Sequence, residues 1–131
     1  MTPYLLDANV LIALVITDHE HHGRATDWLE LVDQVALCPI VEGALFRFLI
    51  RVGESKATAR VILDGLYDSP RCVFWEDSLS YADVALDHVT GHRQVTDAYL
   101  ASLAHRNGAR LATFDQGLAQ ALPGRVELIG S

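Results

Sequence analysis

Two kinds of hydrophobic pattern alternate along this chain. Short continuous apolar runs occur at Tyr4-Leu5-Leu6, Val35-Ala36-Leu37-Cys38, Cys72-Val73-Phe74-Trp75, Leu111-Ala112-Thr113 (opened by Arg110) and Val126-Glu127-Leu128-Ile129. They have the length of strands, and continuous rather than alternating hydrophobicity predicts strands covered on both faces. Between them lie longer stretches with apolar positions three or four residues apart. The spacing predicts helices over residues 8–16 and over 21–34, the latter with Ala25, Trp28, Leu29 and Val32 on one face. Pro39 is placed to open a helix that runs to residue 52 and stops at Gly53; Ser55 caps the next, through Tyr67. Residues 80–89 read as a helix, 91–94 as a loop, and a helix capped by Thr96 runs to residue 107 before Gly108. A last short helix runs through Ala119. Strands followed by helices imply an α/β fold: a central parallel sheet of four to five strands, doubly wound, with helices on both faces. With no repeat, low-complexity segment or linker, residues 1–131 read as one domain.

Composition narrows the class without deciding function. Half of the residues are hydrophobic and about a fifth are charged, as in a folded chain. Seventeen acidic residues against ten basic ones give a net charge of −7, which argues against a protein that coats nucleic acid. The longest apolar run, from Val10 to Ile16, is too short to span a bilayer, and no basic segment precedes it as in a signal peptide. Cys38 and Cys72 sit in apolar contexts and read as buried reduced thiols, which fits a cytoplasmic protein.

Four carboxylates stand out by position. Asp7 directly follows the first strand, and Asp115 comes after the fourth; each, taken alone, is an ordinary helix cap. Glu42 shares an apolar stripe with Leu45, Phe46 and Leu49, and Asp97 one with Leu100, Ala101 and Ala104. Both are near helix starts, where a carboxylate is favoured by the helix dipole. In an open parallel sheet the C-terminal strand ends share one edge, where ligands bind. Asp7 and Asp115 lie at such ends, and Glu42 and Asp97 in first turns that start from the same edge. Four carboxylates drawn to one crevice would repel without a cation, and an all-oxygen set selects Mg²⁺ or Mn²⁺ over Zn²⁺. Such a site suits metal-assisted phosphoryl chemistry.

Four segments, in order, carry a resemblance: Leu5-Leu6-Asp7-Ala8-Asn9-Val10-Leu11, Pro39-Ile40-Val41-Glu42, Val95-Thr96-Asp97-Ala98-Tyr99-Leu100-Ala101 and Leu111-Ala112-Thr113-Phe114-Asp115. Together they resemble the ordered motifs of PIN-domain ribonucleases, most closely the VapC toxins of bacterial toxin–antitoxin systems. The resemblance covers essentially the whole chain. It implies a Mg²⁺- or Mn²⁺-dependent endoribonuclease that inhibits growth, is silenced by a VapB antitoxin and is commonly a homodimer. By position it makes Asp7, Glu42, Asp97 and Asp115 the catalytic metal-site residues, with Asn9 and Thr113 orienting them. The implied reaction is in-line attack of metal-activated water on an RNA phosphodiester, leaving a 5′-phosphate and a 3′-hydroxyl.

Other features carry less. Arg47, Arg51, Lys56 and Arg60 face only Glu54 in their stretch of chain, a local positive excess that reads either as a solvated helix face or as an RNA-guiding groove edge. Arg93 precedes Asp97 closely enough to reach phosphate or to offset the acidic cluster. Apolar residues beyond one stripe, Phe46, Phe48, Ile50, Ile62 and Leu66, read as core or as a face for the antitoxin or a second copy. His19, His21 and His22 form a cluster with Asp18 and Glu20 that reads as an exposed loop at the site mouth rather than a metal site. His88, His92 and His105 read as surface or capping residues. An aspartyl-nucleophile phosphatase built on Asp7 would need a second Asp where Asn9 stands, or a late lysine, whereas the only lysine is Lys56. The alternative from another class is a non-catalytic acidic module that binds a basic peptide.

Overall fold

The computed structural model describes residues 3–130. Five strands, β1 (Tyr4–Leu6), β2 (Val35–Leu37), β3 (Cys72–Phe74), β4 (Arg110–Thr113) and β5 (Val126–Leu128), form one all-parallel sheet in the order β3-β2-β1-β4-β5. The helices are α1 (Ala8–Val15), α2 (His22–Glu30), α3 (Pro39–Arg51), α4 (Lys56–Tyr67), α5 (Val95–Arg106) and α6 (Gln116–Ala121). The chain winds outward from β1 to β3 and then returns past β1 to β4 and β5. Right-handed crossovers therefore place α1 to α4 on one face and α5 and α6 on the other. The centre is aliphatic: Leu5, Leu6, Leu37 and Leu111 of the sheet are buried against Leu11, Val41, Leu45, Leu49, Leu100 and Leu103 of the helices.

Local signals account for most boundaries. Pro39 occupies the first turn of α3, Ser55 Oγ accepts from Thr58 N–H at 3.0 Å to cap α4, and Gly53 and Gly108, at φ 99° and 70°, follow helix ends in a conformation that favours glycine. Three expectations are corrected. Residues 80–89 are not a helix. Tyr81–Asp83 makes one 3₁₀ turn, after which Ala85 N–H donates to Ser102 Oγ of α5. Leu79 N–H donates to the Tyr99 hydroxyl, and Leu79 and Val84 are buried; tertiary anchors five residues apart override the helical tendency. Helix α2 ends at Glu30, not 34, because Arg71 reaches across and donates to the carbonyls of Leu29, Val32 and Asp33. Thr96 does not cap α5. Residues 92–94 form a 3₁₀ turn that runs into the helix, so Val95 N–H donates to His92 O and Thr96 is left exposed inside the first turn.

Cys38 is buried and Cys72 half-buried, both free; burial pushes their thiols up to about 12 and about 11. No helix of the described residues is long and apolar enough to cross a membrane.

Candidate active site

The strand order reverses direction between β1 and β4, and at such a switch point the C-terminal strand ends open a crevice. The register that pairs Leu6 with Ala112 sets the next residue of each strand side by side, Asp7 and Thr113. Asp7 N–H donates to Ala112 O at 3.0 Å, and Thr113 Oγ1–H donates to Asp7 Oδ2 at 2.8 Å. The same Thr113 oxygen accepts from Asp115 N–H at 3.1 Å. One hydroxyl, 1% exposed, thus ties the end of β1 to the turn after β4.

Asp7 stands at the N-cap position of α1, yet its carboxylate caps nothing. The group is 7% exposed, and burial raises it above the usual carboxylate range; the Thr113 hydrogen bond opposes this and Asp115 adds to it. Asp115 does cap: its Oδ1 accepts from Leu118 N–H at 3.0 Å, while Oδ2 makes no hydrogen bond among the described residues. Asp97 projects from the first turn of α5 and is half-buried. Burial first, then the charges of Asp7 and Asp115, raise it to about 7. Three of the four predicted carboxylates therefore share one electrostatic environment.

Glu42 lies on the other flank. The Tyr67 hydroxyl of α4 donates to Glu42 Oε2 at 2.6 Å, and the charge of Glu42 acts on Tyr67 and Cys72 rather than on Asp97. Nothing in the motif pattern signals Tyr67, which is 25 residues away from its partner in sequence. Asn9, expected to orient the carboxylates, is exposed and bonds to none of them among the described residues. It lines instead a groove of about 420 Å³ between α1 and α3, with His19, Arg47 and Arg51. Lys56 and Arg60 line a separate groove beside Phe46, so the basic stretch divides into two patches. Arg93 is exposed in the turn before α5.

The histidine loop has a definite anchor. The His21 ring lies 4.9 Å from that of Phe114, the residue between Thr113 and Asp115, and the Arg24 guanidinium sits 4.5 Å from the same ring. His22 instead contacts Ala13 O through Nδ1 at 2.8 Å. His88, read from sequence as a surface residue, is half-buried and lines a pocket with Asp97 and Asp115. The sequence offered no sign of this, because the segment 80–89 looked helical.

Two ion pairs fall within 4 Å among the described residues, His21–Glu20 and Arg110–Glu127, and neither involves the four carboxylates. The close pairing of Asp7, Asp97 and Asp115 is thus uncompensated by a protein cation. Such an oxygen-only set fits a hard divalent ion of the Mg²⁺ or Mn²⁺ type. Among the described residues no group of three or more His, Cys, Asp or Glu side chains is arranged to hold a metal ion by itself.

A model of the PIN domain matches residues 4–121. The chain belongs to the PIN-domain family. Within it, this PIN domain is 53% identical over 116 residues to Ribonuclease VapC29 of Mycobacterium tuberculosis, covering 88% of this chain and 87% of that one. The fold also matches a toxin–antitoxin complex from Klebsiella pneumoniae, with a TM-score of 0.69 at 17% identity over 97% of this chain and 98% of the other. It matches Mycobacterium tuberculosis VapC20, described as a sarcin–ricin-loop-cleaving toxin, with a TM-score of 0.68 at 18% identity over 90% and 94% of the two chains. These likenesses bear out the PIN-like sheet and the VapC-type resemblance read from the four motifs.

Proposed function

We propose that this PIN domain is a Mg²⁺- or Mn²⁺-dependent endoribonuclease that acts as the toxin of a toxin–antitoxin pair. The observation that carries this reading is the shared environment of Asp7, Asp97 and Asp115: the charge of Asp115 raises Asp7, and the charges of Asp7 and Asp115 raise Asp97, with no ion pair to a protein cation among the described residues. The relative named a ribonuclease and the structural neighbour solved as a toxin–antitoxin complex support it.

Asp7, Asp97 and Asp115 would hold the ion, with Glu42 on the flank steadied by Tyr67. When bound, the ion supplies charge neutralisation on the phosphate and acidifies water for hydrolysis. The chain's own residues do the rest. Thr113 fixes the spacing of Asp7 and Asp115 by bridging them. The α6 cap holds one oxygen of Asp115 and leaves the other free to ligate. Arg47 and Arg51, beside Asn9 and His19, receive the RNA backbone as it leaves the acidic crevice, and Lys56, Arg60 and Arg93 add to the positive field. Phosphodiester cleavage would leave a 5′-phosphate and a 3′-hydroxyl.

The partner is a VapB-type antitoxin, whose basic segment would complement the acidic crevice. Exposed Ile50, Val52 and Val61 on and beside the α3–α4 hairpin give an apolar face for a homodimer. The cytoplasm is the compartment expected for an enzyme that acts on cellular RNA.

The test is cleavage of total RNA by purified protein with Mg²⁺ or Mn²⁺, with EDTA, and with Asp97→Asn. Metal-dependent cleavage that is lost in the variant is expected. Equal cleavage by both proteins would point to a contaminating nuclease. Binding of a basic peptide with no cleavage under any condition would favour the non-catalytic acidic module.

A further inference from the structure

The pocket beside Asp97 and Asp115 has a third polar wall. It measures about 120 Å³, room for about four water molecules, and is lined by His88, Gln94, Asp97, Asp115, Gly117 and Leu118, together with a methyl group from α6. That volume suits a phosphate group and its solvent better than a stacked base. Two of its walls are carboxylates, which when ionised only accept hydrogen bonds. His88 Nε2 is buried and has no hydrogen-bond partner among the described residues. A buried polar atom without a partner is costly, and a ligand oxygen would remove that cost.

The backbone that carries His88 is held in place from both sides. Upstream, Leu79 N–H donates to the Tyr99 hydroxyl and Ala85 N–H to Ser102 Oγ, both on α5. Downstream, Gln94 Oε1 accepts from Thr90 and from Gly91 N–H. The non-helical path of this segment, unexpected from its sequence, is what delivers the imidazole to the acidic pocket.

We propose that His88 is a substrate-binding residue, whose imidazole donates Nε2–H to an oxygen of the phosphate that RNA places between Asp97 and Asp115. This rests on the ribonuclease reading, although the phosphate contact can be measured without turnover. In that position His88 supplies the donor that two carboxylates cannot. It adds to substrate affinity and leaves the hydrolytic step to the acidic residues.

The experiment uses AMP as the probe, since it has a phosphate but no phosphodiester, so Mg²⁺ can be present. Adenosine is the control. Nitrogen-15 spectra of the histidine rings follow binding, with the His88 signal assigned by its disappearance in His88→Gln. The expected result is a shift of the His88 Nε2 signal with AMP and not with adenosine. His88→Gln, which keeps a donor, should bind AMP within about threefold of the parent, and His88→Leu about tenfold or more weaker. On RNA, His88→Leu should raise KM about tenfold with kcat nearly unchanged, the signature of a lost binding contact. Thermal unfolding of both variants separates this from a folding defect, because a merely structural histidine would not discriminate phosphate from nucleoside.

His88→Leu binding AMP as the parent does, a His88 signal that ignores bound AMP, an equal response to adenosine, or no AMP binding at millimolar concentration would each overturn the proposal. If AMP shifts His88 but no RNA cleavage sensitive to Asp97→Asn exists, the phosphate site stands and the ribonuclease reading falls.

Discussion

The two flanks of α1 differ in every physical respect. At its start, Asp7 is buried, tied through Thr113 to Asp115 and in electrostatic contact with Asp97. Two residues on, exposed Asn9 opens onto the groove of Arg47 and Arg51, whose guanidinium groups make no ion pair among the described residues. The first region is negative, dense and set by backbone register; the second is positive, open and set by two side chains of α3. A net charge of −7 averages over both and describes neither. It excludes a protein that coats nucleic acid, while leaving room for one that pairs a small cation-binding crevice with a local basic approach.

The sharpest way to break the contrast is to remove a charge from the dense side. Asp97→Asn keeps the shape of the side chain and takes away an oxygen that, in the proposed site, would ligate the ion. Cleavage of an RNA oligonucleotide should fall roughly a hundredfold or more, with metal binding weakened in parallel. The circular dichroism spectrum should be unchanged. Cleavage within a few fold of the parent protein would remove Asp97 from the site.

Thr113→Val tests whether the density itself matters. The substitution keeps the volume and leaves Asp7 Oδ2 and Asp115 N–H without their shared partner. Stability should fall by about 1–3 kcal/mol, and activity by roughly 10–100-fold, mostly through metal affinity, so that more Mg²⁺ recovers part of it. A variant as active and stable as the parent would show that register alone positions the two carboxylates.

These two regions also mark what the sequence could disclose. The dense side was legible because its residues sit at strand ends, and a strand end is visible as the last apolar residue before a break. Leu6 immediately before Asp7, and the end of β4 at Thr113 two residues before Asp115, mark both carboxylates, and the parallel sheet brings those strand ends side by side. The resemblance implies that Thr113 orients the carboxylates; that one hydroxyl meets both Asp7 and the Asp115 N–H is visible only in the structure. Glu42 was placed on the right helix, but its tie to Tyr67 depends on how α3 packs on α4, which periodicity does not encode. Asn9, two positions after the strand end, has turned round the helix and makes no hydrogen bond to the carboxylates among the described residues. The segment 80–89 misled for a related reason. Its apolar residues suit a helix locally, while Tyr99 and Ser102 of α5 bind its backbone in another form. His88 was overlooked with it.

On the open side the expected effect is smaller and graded. Arg47→Ala with Arg51→Ala should weaken RNA binding and reduce its dependence on salt. If each arginine neutralises one phosphate of single-stranded RNA, the slope of log K against log salt should become shallower by about 1.4. The Asp97→Asn background allows this to be measured without cleavage. Arg51 also sits 5.6 Å from the Phe48 ring, so Arg51→Lys tests charge against stacking: it should retain most of the salt slope. An unchanged slope in the double variant would leave the groove with no part in RNA binding.

The smallest effect lies in stability without metal, and its sign separates the two regions cleanly. Asp97 is raised from its ordinary value to about 7 in the folded chain. Between about pH 4 and pH 7 the native state therefore binds more protons than the unfolded state, and stability falls as pH rises through that window. In EDTA the protein should unfold a few degrees lower at pH 8 than at pH 5.5, the effect being reduced by the partial exposure of the group. Asp97→Asn should remove most of that difference and raise the melting temperature at pH 8. Mg²⁺ should do the same for the parent protein, because an ion bound to the native state offsets the repulsion. Arg47→Ala should alter neither response, since its charge lies outside the crevice. A melting temperature that rises with pH in EDTA, or one that Asp97→Asn leaves unchanged, would mean that the three carboxylates do not strain the fold. Their proximity would then have no energetic consequence for a cation to relieve.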